Sequence, residues 1–268
     1  MRSFEGHRMI SSSFQEIEDN KMRLKDKIAV ITGAGAGIGR ATALRFNEEG
    51  AKVVVVDVDE KAGKEVVNMI EEQEGAAIFL NVDVRNKTAI DHMIEEVVKK
   101  YNRIDILVNN VGRPKDALLV KMSEEDWDFA IELNLKSVFL CSRKVAPIMI
   151  EQKYGKMVNI ISMAYQGNVG QSNYAAAKSG IVGFTKSLAK ELGRFNVNVN
   201  VVSPGLIDTP LLRSFDEKVI ERLLKDVPLR RVGDPVDVAN TILFLSTDES
   251  KYITGQVFHV SGGLTVIM

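Results

Sequence analysis

Cysteine is nearly absent from this chain of 268 residues: Cys141 is the only one, so no internal disulfide can form and the fold must rest on its apolar core. Histidine occurs three times, and His7, His92 and His259 stand in no recognisable catalytic context, which disfavours a Ser-His-Asp hydrolase. No cluster of His, Cys, Asp or Glu has ligand spacing, so no metal site is expected. Long apolar runs are missing as well; none reaches the roughly 18 residues that a membrane-spanning helix needs. Neither sign of charge dominates, with 35 Lys and Arg against 36 Asp and Glu and a formal charge of -1. That balance argues against a large nucleic-acid or anionic-membrane surface and favours a small-molecule partner. A cytoplasmic location is the default expectation.

What is present describes a globular chain: 45% of residues are hydrophobic and 26% charged, enough for one sizeable core. Residues 1–21 are polar and mixed in charge and read as an N-terminal extension. Met22 is a candidate functional start, and Ser13 with Glu16 has capping-box spacing. From Lys27 onward, short β-branched runs alternate with longer segments of helical apolar spacing. The strand candidates are 27–32, 52–57, 77–83, 104–109, 156–161, 197–202 and 256–260, and the helical segments lie near 37–49, 60–74, 86–101, 123–152, 172–193 and 234–247. Several strands are apolar on both faces, as buried parallel strands must be. The stretch 206–233, with Pro210 and Pro228 inside it and Pro204-Gly205 before it, breaks the rhythm and reads as a helical lid above the strand ends. No linker, repeat or low-complexity tract divides the chain. The expectation is a single doubly wound α/β domain over 22–268, a seven-stranded parallel sheet with helices on both faces.

Directly after the first strand comes Thr32-Gly33-Ala34-Gly35-Ala36-Gly37-Ile38-Gly39, followed by a helix. Glycines there permit a tight turn and bring backbone N–H groups to a pyrophosphate at the positive helix end, so Gly33, Ala36, Gly37, Ile38 and Gly39 are candidate cofactor contacts. Such a loop is a weak signal alone, and its place between strand and helix strengthens it. The second strand ends at Asp57, 24 residues beyond Gly33, the spacing of a ribose-binding acid in a Rossmann-type domain. A carboxylate at this point accepts hydrogen bonds from the adenosine hydroxyls and repels a 2′-phosphate, which favours NAD over NADP. The plain alternative is that Asp57 caps the next helix.

Together, Thr32-Gly33-x3-Gly37-Ile38-Gly39, Asn109-Asn110-Val111-Gly112, Ser162, Tyr174-x3-Lys178 and Pro204-Gly205 resemble the short-chain dehydrogenases/reductases over about residues 22–268. There are two departures: Val111 replaces the usual alanine, and Ser162 precedes Tyr174 by 12 positions instead of 13. The resemblance implies that Asp83 and Val84 lie around the adenine, Asn110 beside the adenosine ribose, and Ile207 and Thr209 at the nicotinamide carboxamide. It also implies that Asn134 holds a water linked to the catalytic lysine, and that the chain forms a homotetramer. Helices flanking the Ser162 strand would pair in that assembly, and the apolar ending Leu264–Met268 would suit such an interface or its own core.

Tyr174 and Lys178, four apart in a helical stretch, share a face. A phenol with a reference pKa of about 10 is a poor base at neutral pH; an adjacent ammonium and a nicotinamide cation would stabilise its phenolate, and lowering the pKa by about three units takes roughly 4 kcal/mol. Tyr174 would then exchange the proton while hydride moves, and the Ser162 hydroxyl would meet the substrate oxygen where negative charge develops. Each has an ordinary rival: Tyr-x3-Lys arises by chance in helices, and Ser162 can simply start a loop. Trp127, the methionines and Cys141 fall where packing is expected, and His259 reads as strand packing.

Within the family, Asp116–Met122, Gln171–Tyr174 and Tyr252–Gly255 resemble 3-oxoacyl-acyl-carrier-protein reductases. Those enzymes usually favour NADPH, and Asp57 points to NAD instead. Lys153 and Lys190 stand where such reductases carry basic residues that receive acyl carrier protein, or are solvated helix-end charges. The expected reaction is NAD(H)-dependent interconversion of a 3-oxoacyl and a 3-hydroxyacyl thioester. A polyol, sugar or other secondary-alcohol dehydrogenase, and a non-catalytic NAD-binding scaffold or sensor, are the alternatives.

Overall fold

Seven parallel strands hydrogen-bond in the order β3-β2-β1-β4-β5-β6-β7 in the computed structural model, which describes residues 22–264. The N-terminal extension, with Ser13 and Glu16, and the ending after Leu264 lie outside the described residues. The strands are β1 (Ile28–Thr32), β2 (Lys52–Asp57), β3 (Ala76–Asn81), β4 (Ile106–Asn109), β5 (Gly155–Ile160), β6 (Val197–Pro204) and β7 (Val257–Val260). Each falls on an apolar run expected from the sequence. Every residue of β1, β4, β5 and β6 is buried, whereas edge strands β3 and β7 are partly open. This is the burial expected when helices cover both faces of a parallel sheet.

The helices are α1 (Gly37–Glu48), α2 (Glu60–Glu71), α3 (Lys87–Tyr101), α4 (Glu124–Ile131), α5 (Ser137–Gln152), α6 (Ser172–Leu192), α7 (Pro210–Arg213), α8 (Glu217–Leu224) and α9 (Pro235–Ser246). On one face Phe46, Val66, Ile70, Ile242 and Leu243 pack against Ile31, Val53 and Val55. On the other, Ile90, Ile94, Val145 and Met149 pack against Val30, Val54 and Leu107. Alternate residues of one strand thus serve opposite layers, and each fully buried aliphatic side chain contributes about 1.5–3 kcal/mol. Cys141 lies in the second layer at 1% exposure, where burial pushes its thiol up to about 12 and makes it an unreactive packing residue.

Two features differ from the sequence reading. The segment 123–152 is not one helix: a π-helical turn at Glu132–Lys136 separates α4 from α5. And the helix after β2 is capped not by Asp57 but by Asp59, whose side chain accepts the Ala62 N–H. The lid is present as a long excursion holding α7 and α8. Its neck is closed by an Ile207–Gly233 bridge and by the Gly233 N–H to Leu206 carbonyl bond of 2.9 Å.

The order reverses between β1 and β4, so the loops after these strands leave toward opposite faces and open a crevice at the carboxyl ends of the sheet.

Candidate active site

The glycine loop fills one wall of that crevice. Helix α1 begins after Ala36, which is extended and offers no side-chain cap, so the first-turn N–H groups and the positive end of the dipole face outward. Gly39 allows the turn to close: a Cβ there would lie 2.0 Å from the Gly33 carbonyl oxygen and 2.7 Å from Asn110 Nδ2. Asn110 Nδ2 donates to the carbonyls of Thr32 and Gly33 at 3.0 Å each, and the Asn110 N–H donates to Thr32 Oγ1 at 3.1 Å. Asn110 therefore binds the loop itself, and it joins β4 to the glycine turn.

Asp57, at the end of β2, accepts the Gly35 N–H at 2.8 Å through one oxygen and the Asp59 N–H at 3.0 Å through the other. Those two bonds aim the half-buried carboxylate at the loop and leave it lone pairs for hydroxyl donors. Asp83 and Val84 follow β3. The Asp83 carboxylate is gripped by Arg85, whose Nε reaches both oxygens at 3.1 and 3.0 Å, and that guanidinium holds it below the usual carboxylate range; Val84 is buried. Ile207 is buried in the lid neck. Thr209 caps α7 and packs over Gly37, so the lid stem rests on the glycine turn. An uncapped helix end, a close-packed glycine turn and an oriented acid form a cradle that fits a dinucleotide.

The opposite wall comes from β5, α6 and the π turn. Tyr174 and Lys178 lie about one turn apart along the buried face of α6, at 8% and 1% exposure, with Lys178 Nζ 5.6 Å from the phenol ring centroid. Lys178 Nζ donates to the Ile160 carbonyl at 2.9 Å, an anchor that sequence spacing does not reveal. Burial draws its ammonium down from 10.5 to about 7. Burial also pushes the Tyr174 phenol up to about 12, and hydrogen bonding with Ser162 opposes that rise. The expected acidification of the phenol by its lysine neighbour is thus not a property of the protein alone, because removing both groups from water outweighs their mutual attraction.

Ser162 is the first residue beyond β5, and its Oγ also accepts the Ala164 N–H at 3.2 Å. It starts the 163–166 turn and also hydrogen-bonds with Tyr174, so capping the turn does not take it away from the phenol. Asn134 sits fully buried in the π turn. Its Nδ2 takes the Ala130 carbonyl at 2.9 Å and the Arg113 carbonyl at 3.1 Å, while Oδ1 accepts the Arg113 N–H at 3.1 Å. A helix widened by one residue releases carbonyls that a side chain can satisfy, and such turns collect at functional sites.

One contributor was quoted in the sequence only as part of a motif. A Cβ on Gly112 would lie 2.6 Å from Lys178 Nζ and 2.9 Å from Asn134 Oδ1, so only glycine lets the β4 loop pass between these two groups. A cavity of about 380 Å³ lies elsewhere, between the lid neck and the end of β7, where Ile207, Arg231, Asp237 and His259 help line it. It touches none of Ser162, Tyr174 or Lys178, so the chemistry and not the cavity locates the site. His259 does not simply pack: its Nε2 lies 3.1 Å from the Tyr165 hydroxyl and the rings stack. Among the described residues no group of three or more His, Cys, Asp or Glu could hold a metal ion, and no helix is long and apolar enough to cross a membrane.

The fold and this site define a nicotinamide-dependent oxidoreductase, and the chain belongs to the short-chain dehydrogenase/reductase family. A family model described as enoyl-(acyl carrier protein) reductase matches residues 33–265. The chain is similar to the 3-oxoacyl-[acyl-carrier-protein] reductase FabG of Thermotoga maritima, 47% identical over 246 residues, which covers 91% of this chain and 100% of the relative. It is also similar to the (2S)-[(R)-hydroxy(phenyl)methyl]succinyl-CoA dehydrogenase subunit BbsD of Thauera aromatica, 44% identical over 90% of this chain and 98% of that one. Among solved structures, levodione reductase superposes with a TM-score of 0.88 at 30% identity, over 91% of this chain and 100% of the other. The chain is a 3-oxoacyl-acyl-carrier-protein reductase-like member of the family.

Proposed function

We propose that the chain interconverts a 3-oxoacyl and a 3-hydroxyacyl thioester with NAD(H). The observation that carries this reading is the convergence of Ser162, Tyr174, Lys178 and Asn134 on one wall of a crevice whose other wall is the glycine turn with Asp57. Both curated relatives described above are named for acyl thioesters, one on a carrier protein and one on coenzyme A.

In the dinucleotide cradle, the N–H groups around Ala36–Gly39 hold a pyrophosphate, Asp57 an adenosine ribose, and Ile207 and Thr209 the carboxamide side. Asp83, Val84 and Asn110 border the adenosine half. The bound nicotinamide supplies or takes the hydride. Ser162 donates its hydroxyl proton in a hydrogen bond to the substrate oxygen and fixes it within reach of Tyr174. Tyr174 gives that oxygen a proton during reduction and takes it during oxidation. Lys178, poised near neutrality, restores the proton balance of the phenol, and Asn134 holds the β4 loop so that the amine keeps its place.

The test follows nicotinamide absorbance with acetoacetyl-CoA and acetoacetyl-acyl carrier protein, each with NADH and NADPH. Turnover favouring NADH with both thioesters is expected, with a lower KM for the carrier form if Lys153 and Lys190, both exposed, receive its acidic surface. No thioester turnover would sink the substrate assignment. Asp57→Ala should narrow the preference for NADH over NADPH by roughly tenfold, the worth of one charge-assisted hydrogen bond. An unaltered ratio would place ribose recognition elsewhere.

Self-association is part of the proposal. Phe139 on α5 is 40% exposed, meets Phe184 on α6 edge to face at 6.3 Å and carries Arg143 over its ring at 5.2 Å. This aromatic face suits helix pairing between copies. Light scattering should return a tetramer of the 29.7 kDa chain, and Phe139→Glu should lower the mass. A monomeric parent protein would reject the assembly.

A further inference from the structure

The first turn of α6 is stitched to the loop after β4 by side chains outside the reacting set. Gln171, immediately before α6, donates from Nε2 to both Asp116 oxygens at 3.0 and 3.1 Å, and its Oε1 accepts from Asn168 at 3.0 Å. The Ala117 N–H donates to the Gly170 carbonyl at 2.8 Å. Asn173, fully buried, donates to the Lys115 and Asp126 carbonyls at 3.0 Å each, while its Oδ1 accepts the Tyr174 N–H at 2.7 Å. The loop between Ser162 and Tyr174 is therefore closed against residues 115–117, and Asp116 bonds across that seam through its charged side chain.

We propose that Asp116 is a positioning residue for this reaction, acting through Gln171 on the substrate loop and through its own charge on the proton held by Tyr174. The proposal rests on the functional reading above. Lys178 comes from the phenol's own helix, Asp116 from the β4 loop, and the β5 end supplies only the neutral Ser162. On α4, Asp126 is engaged by Lys115 at 3.7 Å, and Arg113 stands over Phe129. The Asp116 carboxylate acts in the same direction as the burial that raises the phenol, and Lys178 Nζ, 5.6 Å from the ring, carries the opposite sign of charge. The clamp and the charge are separable. Asparagine at 116 keeps an acceptor for Gln171 and removes the charge; alanine at 171 removes the clamp and keeps the charge.

Ultraviolet titration of tyrosinate in the full chain saturated with NAD, read as the difference from Tyr174→Phe, isolates the Tyr174 ionisation without a substrate. Asp116→Asn should move that midpoint down by roughly half to one pH unit and leave the KM for acetoacetyl-CoA within about twofold. Gln171→Ala should leave the midpoint in place and raise that KM by roughly three- to tenfold, the range for one lost hydrogen bond. An unmoved midpoint in Asp116→Asn, or an unchanged KM in Gln171→Ala, overturns the proposal. Absence of acetoacetyl-CoA turnover in the unaltered protein would instead count against the thioester assignment, because the titration still reports on Asp116.

Discussion

Tyr174→Phe is expected to lower turnover by about 10² to 10⁴ while dinucleotide affinity stays within a few-fold of the unaltered protein. The substitution removes one oxygen from a side chain that is 8% exposed, so ring packing is kept and the proton donor is lost. Ser162 retains its bond from the Ala164 N–H, and Asp57 keeps its bonds from the Gly35 and Asp59 N–H groups. The loss should appear in kcat and in kcat/KM together, because the missing interaction belongs to the transition state. The check is steady-state turnover beside a direct titration of NADH binding. More than a tenth of the activity remaining would remove Tyr174 from the acid/base role, and a parallel collapse of NADH affinity would make it a cofactor residue instead.

The sheet was legible because its signal is local. The continuous run Val53–Val56 and the β-branched alternation of Val197–Val202 both read as strands, and each observed strand lies within about two residues of its expected bounds. The glycine turn and Asp57 were legible for the same reason: a loop between strand and helix, and an acid at the end of the following strand, are relations within 24 residues. The π turn was not. One extra residue at 132–136 shifts the apolar stripe without erasing it, so 123–152 keeps the periodicity of a single helix. The choice between Asp57 and Asp59 as helix cap was equally hidden, since both suit the position and only the observed bond to Ala62 decides it.

Contacts between distant segments account for the remainder. The Gln171–Asp116 bond joins residues 55 apart and the Lys178–Ile160 bond residues 18 apart, and neither leaves a periodic trace. The four-residue spacing of Tyr174 and Lys178 correctly puts them on one face, yet it says nothing of how dry that face is. Dryness reverses the expected electrostatics: at the observed depth, the cost of removing each charged form from water exceeds what the two groups return to one another. Burial thereby draws the amine down to about 7 and pushes the phenol up, which is the state in which the proposed reduction would start with the proton on Tyr174.

Lys178→Met should give a protein that turns over at least about a hundredfold more slowly yet melts at a higher temperature near neutral pH. Lys178 is 1% exposed, and burial lowers its pKa from 10.5 to about 7. Below the folded value both states carry the proton and the folded state bears the full penalty. Between the two values the unfolded chain binds a proton that the folded chain does not, so stability rises with pH and the penalty fades. A shift of this size corresponds to a penalty on the order of 5 kcal/mol, from which about 1 kcal/mol is returned by the lost bond to the Ile160 carbonyl. For a chain of this length each kcal/mol moves Tm by about 2–4 °C, so methionine, of similar length and uncharged, should raise Tm by roughly 5 °C or more at neutral pH. The gain should shrink as the pH approaches 10. Differential scanning calorimetry at several pH values reads this directly. A variant that melts lower than the parent throughout would make the amine a structural strut, whereas higher stability with lost turnover is what a group retained for its chemistry, against the preference of the fold, must show.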